Sequence, residues 1–138
     1  MKSFTAYLEE KKVRKISPDP AEADSLLKQS EARLKDLKNL PLSEETAPFR
    51  FESAYEVLRE VLQSFLAAAG YKPYSHEAIL AFGKEQGILS LSEFERSDRY
   101  RQIRNDINYR GKTVLKIEAE EIILFVSMLL PKLKSRKA

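Results

Sequence analysis

Two long segments of this chain repeat apolar residues at alternating intervals of four and three, the spacing that lines side chains along one face of an α-helix. Phe51, Tyr55, Leu58, Leu62 and Phe65 form the first set, and Ala54, Val57 and Val61 widen it to nearly half the circumference. Leu115, Ala119, Ile122, Val126, Leu129 and Leu133 form the second, and Ile123, Leu124, Phe125 and Leu130 make that helix apolar around much of its surface. A helix of that kind belongs near the centre of a bundle. No stretch alternates apolar and polar residues in the period-two pattern of a half-buried strand. The expected fold is all-α, an antiparallel bundle of four to five helices.

Turn and cap residues divide the chain. Asp19 as cap, Pro20 in the first helical position and Glu22 start a helix over about 20–38, with Ala23, Leu27, Leu34 and Leu37 on its apolar stripe. Ser43 or Thr46 caps the long second helix, which Gly70 ends and Pro73 keeps from continuing. Ser75 caps a short third helix containing Ala78, Ile79, Ala81 and Phe82, where Gly83 implies close packing and Gly87 marks the end. Ser92, Glu93, Phe94 and Glu95 read as a capping box opening a fourth helix that stops at Gly111. The last helix covers about 114–134, and Pro131 is expected to kink or end it. Residues 1–17, with Lys11, Lys12, Arg14 and Lys15, read as a mobile basic arm, 18–134 as one helical domain and 135–138 as a frayed basic tail. The surplus apolar width of the second helix has two readings: it covers another helix of the same subunit, or it is a dimer surface.

Composition narrows the function. With 138 residues, 43% of them hydrophobic, the chain can bury one substantial core. It has no cysteine, which excludes disulfides, thiolate metal sites and thiol nucleophiles and suits a reducing cytoplasm. His76 is the only histidine and the carboxylates show no ligand spacing, so neither a metal nor a cofactor is expected. Twenty-four basic against twenty-one acidic residues give +3, so any nucleic-acid site must be local. The opening MKSFTAYLEE has too few apolar residues for a signal peptide, and no run approaches a membrane span; a soluble cytoplasmic protein is expected.

The stretch YRQIRNDINYRG, from Tyr100 to Gly111, carries the chemistry. On a helix Ser97, Arg101, Arg104 and Asn108 share one narrow stripe, while Tyr100, Ile103 and Ile107 form another about a quarter-turn away. One face can be buried while its neighbour presents two guanidiniums and an amide, groups suited to phosphate and to hydrogen-bonded recognition. Asn105 is a polar neighbour, Tyr109 a candidate for base stacking, and His76 a secondary candidate at the start of the third helix. The plainer reading makes these arginines solvated charges or helix salt bridges.

PFRFESAYEVLREVLQSFLAAAGYKPYSHEAILAF and RYRQIRNDINYRG resemble the corresponding parts of HEPN domains, small all-α proteins of prokaryotic toxin–antitoxin and RNA-processing systems. The similarity covers roughly Pro20 to Lys134. It implies a bundle of four or five helices, usually a homodimer, in which the polar motif of the fourth helix from each subunit meets at a composite cleft. It also implies association with a nucleotidyltransferase-type protein partner. Ribonuclease members carry an arginine followed, after roughly four to six residues, by histidine. Here those positions hold Asp106, Ile107 or Asn108 counted from Arg101, and Tyr109, Arg110 or Gly111 counted from Arg104. Asn108 occupies the expected site. A carboxamide cannot exchange the proton that metal-independent RNA cleavage requires, and losing such a group typically costs about 10²–10⁴ in rate. The expected function is therefore a non-catalytic module binding RNA, a nucleotide or a protein partner. A ribonuclease with a degenerate motif, needing His76 to reach the arginines, and a purely structural helical subunit are the alternatives.

Overall fold

The structure, a computed structural model, describes residues 1–137. Ser3 opens α1 (Phe4–Glu9), and β1 (Val13–Lys15) follows it. Asp19 then accepts from Glu22 N at 3.0 Å and starts α2 (Pro20–Lys38) with Pro20 in its first turn. α3 (Ala47–Ala69) ends at Gly70 and leads into β2 (Tyr71–Pro73). Ser75 caps α4 (His76–Glu85), α5 runs Leu91–Arg110, and α6 runs Lys116–Lys137. The all-α bundle is what the apolar spacing predicts, and no helix among the described residues is long and apolar enough to cross a membrane.

α3 is the centre of the bundle, packed on α2, α4, α5 and α6. Phe51, Ala54, Tyr55, Val57, Leu58, Val61 and Leu62 are all buried, and Phe65 is half-buried. Leu34 and Leu37 of α2 and Ile122, Val126, Leu129 and Leu133 of α6 are buried in the same core. The wide face of α3 is thus consumed inside the chain, which resolves the question its width raised. Glu60, on the same helix, is fully buried and accepts from Arg33 Nε of α2 at 2.8 Å, so the carboxylate keeps a charged partner.

Several local features depart from expectation. β1 and β2 pair antiparallel with Val13 opposite Pro73, a ribbon whose three-residue strands are too short to show alternation. The segment expected as a mobile basic arm is packed: Phe4, Tyr7 and Val13 are buried, and the Phe4 ring lies 5.0 Å from Tyr71 and 5.1 Å from Phe82. The capping box of α5 is built by Ser90 and Glu93, two residues before the expected Ser92: Glu93 N donates to Ser90 Oγ at 3.1 Å and Ser90 N to Glu93 Oε1 at 2.8 Å. α6 continues through Pro131 because tertiary contacts hold the turns beyond it. Leu133 is fully buried, Arg136 donates to the carbonyls of Gly87 and Ile88 at 2.8 Å each, and Lys137 reaches Ser64 Oγ at 3.0 Å. The tail expected to fray is helical over 135–137, and Ala138 lies outside the described residues.

Candidate functional site

Tyr100 sets the rotation of α5. Its buried ring lies 5.9 Å from Phe51 of α3 and 5.4 Å from Phe125 of α6, with Ile103 and Ile107 half-buried beside the core. With that stripe anchored, the neighbouring one meets α3 and the start of α4, because adjacent stripes on a helix cannot turn independently.

The two arginines of the stripe have different surroundings. Arg101 is mostly buried, with its side chain 13% exposed; Nε donates to Asp98 Oδ1 at 2.9 Å and Nη1 lies 3.7 Å from Glu77 Oε1. The other oxygen of Glu77 accepts from the Tyr7 hydroxyl at 3.1 Å, which ties α1 to this edge of the site. Arg104 makes no ion pair with a carboxylate among the described residues. With the Asn108 amide oriented to satisfy both neighbours, Nδ2 donates to Glu52 and Oδ1 accepts from Arg104 Nε at 3.3 Å. The Arg104 guanidinium carbon lies 5.9 Å from the Tyr55 ring centroid, at the limit of a cation–π contact. Its two Nη groups have no side-chain acceptor among the described residues. The structure therefore brings Arg101, Arg104 and Asn108 together. Asn105 is half-buried with no side-chain hydrogen bond among the described residues, and Tyr109 projects at the C-terminal end of α5, 81% exposed.

His76 does reach the cluster, from the first turn of α4. Its Nδ1 lies 3.1 Å from the Tyr55 hydroxyl, and the two rings stack at 13° with centroids 5.6 Å apart. Burial lowers the imidazole pKa below its ordinary 6.5, and the charges of Arg104, Arg59 and Arg101 lower it further against the opposing pull of Glu56. Burial raises the Tyr55 phenol well above its ordinary 10.0 even though Arg101 and Arg104 pull the other way. Glu56 is the reverse case. Its burial favours the neutral acid, but the hydrogen bonds and charge of Arg59, followed by Arg104 and His76, hold its pKa below the ordinary carboxylate value. Arg59 donates to Glu56 Oε2 from Nη2 at 2.8 Å, and its Nη1 reaches Gln63 at 2.5 Å. A shallow pocket of 230 Å³ lies beside this group, lined by Arg59, Gln63, Tyr74, Ser75 and His76.

The carboxylates decide the character of the site. Against Arg59, Arg101 and Arg104 stand Glu52, Glu56, Glu77 and Asp98, four carboxylates to three guanidiniums, so the face has no excess of positive charge. It can hold one anionic group at Arg104 beside carboxylate and amide acceptors for hydroxyl or amino groups; it cannot track a phosphate backbone. Among the described residues no group of three imidazole, carboxylate or thiolate side chains converges as a metal site needs. Sequence spacing missed the α3 contribution of Glu52, Tyr55, Glu56 and Arg59. The only signal was the recurrence of polar residues three and four apart along the margin of the apolar stripe. Compared with known proteins, the chain matches no family, no curated protein and no solved structure.

Proposed function

We propose that this protein is a HEPN-like, non-catalytic module that binds RNA or a nucleotide through a single phosphate at Arg104, in a toxin–antitoxin-type setting in the cytoplasm. The observation that carries the reading is the uncommitted fork of Arg104. Asn108 steadies its Nε while the outer nitrogens remain without side-chain acceptors among the described residues, and a planar guanidinium grips phosphate through such paired donors. Arg101 has a different role. Its hydrogen bond to Asp98 within α5 fixes its rotamer and its ion pair with Glu77 joins α5 to α4, so it positions the face. Catalysis is disfavoured because the basic Nδ1 of the one imidazole is engaged by a phenol that stays protonated. A second reading, a purely structural or protein-docking face, is favoured by the two carboxylates that flank Arg101.

Binding of a labelled single-stranded RNA and of a mononucleotide, measured across a range of salt, separates these. Arg104→Ala weakens binding and, for single-stranded RNA, flattens the salt slope by about 0.7, the value of one lost phosphate contact. Asn108→Ala lowers affinity and leaves the slope unchanged, since an amide releases no counterion. RNA remains uncleaved in every sample. Affinity and slope that survive loss of Arg104 would move the face to the structural reading, and cleavage abolished by His76→Ala would make the protein a ribonuclease.

A further inference from the structure

Two side chains beside Arg104 are left without partners by the fold. Glu52 makes no ion pair among the described residues, and the Asn108 amide takes one of its two carboxylate oxygens, which leaves the other free to accept. Phe49 stands one helical turn earlier on α3, with its ring 66% exposed and outside the hydrophobic core. Residues three apart on a helix are surface neighbours, so an open aromatic ring adjoins an open carboxylate oxygen. Asn108 links this pair to the guanidinium: its amide is bonded to Glu52 on one side and lies 3.3 Å from Arg104 Nε on the other.

Together these groups can take a phosphate, a flat ring and a row of hydrogen-bond donors. Resting on the reading of Arg104 as a phosphate site, we propose that the face selects guanine nucleotides: the base lies on Phe49, its Watson–Crick edge donates to Glu52, and its phosphate is held by Arg104. A carboxylate accepts hydrogen bonds and donates none. Guanine sets N1–H and the 2-amino group side by side, two adjacent donors for one carboxylate. Adenine and cytosine set an amino group beside a ring nitrogen that carries a lone pair, and uracil sets its N3–H between two carbonyls. Each of those bases turns an acceptor toward Glu52, and opposed acceptors are what a selective site uses to reject the wrong ligand.

The other carboxylates of the face are already engaged. Arg59 Nε lies 3.3 and 3.1 Å from the two oxygens of Glu56, and its Nη2 adds a bond of 2.8 Å. Glu77 is shared between Arg101 and the Tyr7 hydroxyl, and Asp98 between Arg101 and Gln102. Selection therefore falls to Glu52. Stacking on Phe49 contributes affinity without choosing among bases, because every base has a π-face. Arg104 holds the phosphate whichever base is attached. The three contributions are thus carried by separate side chains and can be removed one at a time.

Calorimetric titration of the full chain with GMP, IMP, AMP, CMP and ribose 5-phosphate tests this. GMP binds about tenfold or more tighter than AMP or CMP, and IMP, which keeps N1–H but lacks the 2-amino group, falls between. Glu52→Gln, whose carbonyl can still accept from Asn108, brings GMP and AMP to within about threefold of each other. Phe49→Ala, at an exposed position, weakens every nucleotide by about fivefold or more and leaves ribose 5-phosphate unchanged. Arg104→Ala weakens all five ligands. Equal affinity for the four nucleotides, or a preference for GMP that survives Glu52→Gln, would overturn the guanine reading, while binding that still depends on Arg104 would keep the phosphate site. If Phe49→Ala weakens ribose 5-phosphate as much as GMP, the base does not lie on that ring. Should no ligand show binding that depends on Arg104, the phosphate reading fails and this inference fails with it.

Discussion

The hydroxyl of Tyr55 lies 3.1 Å from Nδ1 of His76, with the two rings nearly parallel, and both groups are held uncharged. Burial keeps the phenol protonated, while burial and the nearby arginines keep the imidazole neutral. The assignment that fits both states has the phenol donating to Nδ1 and the remaining imidazole proton on Nε2. His76 then acts as a joint between α3 and α4.

The pH dependence follows with a definite sign. The folded state binds the His76 proton less readily than the unfolded chain does. Stability from this residue is therefore complete above the ordinary value of 6.5 and is lost as pH falls through the window below it. As the only histidine in the chain, it gives an unambiguous imidazole signal by NMR. The expected midpoint is below 6.5, and Arg104→Ala moves it upward by removing the guanidinium whose charge lowers it most. A midpoint at or above 6.5 would show that the ring is neither desolvated nor beside the arginines.

Gly70 and Gly111 both end helices in the left-handed region, at φ 90° and 63°, yet their substitutions should differ. A Cβ on Gly111 meets nothing, so Gly111→Ala costs only the conformational penalty of about 1–2 kcal/mol. A Cβ on Gly70 would sit 2.7 Å from the Ile16 carbonyl oxygen, a backbone atom fixed by the bond from Ile16 N to Gly70 O. Gly70→Ala should therefore lower stability clearly more than Gly111→Ala in urea titrations. Equal losses would mean that the chain before α2 can move away from the end of α3.

The parts of the fold legible in the sequence were those fixed by residues close together in the chain. The apolar stripe of α3, the Asp19–Pro20 start of α2, the Ser75 cap and the Gly70 end are all local codes, and each stands as read. What escaped depended on distant partners. Nothing near Phe4 announces that Tyr71 and Phe82 will enclose it, and nothing near Pro131 announces that Arg136 will bond the α4–α5 connection. The site divides in the same way. The stripe of Arg101, Arg104 and Asn108 is a property of one helix, but its meaning changed when Asp98 and Glu77 took Arg101, leaving Arg104 uncommitted.

The N-terminal segment shows why that distinction governs experiments on binding. Lys11, Lys12, Arg14 and Lys15 are exposed and could attract RNA without specificity, so removing residues 1–17 looks like the natural control. Deletion would also remove the buried Phe4, Tyr7 and Val13, expose the Tyr71 and Phe82 rings, and strip Glu77 of its bond from Tyr7. Truncating one buried Phe typically costs about 3–5 kcal/mol, so the deleted chain should melt far lower than the parent. Because Glu77 also faces Arg101, deletion should disturb the arginine face as well. Replacing the four basic residues by glutamine removes the charge and leaves the packing, with stability within about 0.5 kcal/mol of the parent. Thermal melts of both variants decide the matter. If the deletion melts like the parent, Phe4 and Tyr7 contribute nothing to the core; if only the deletion melts low, RNA binding by the glutamine variant is the measurement that isolates Arg104.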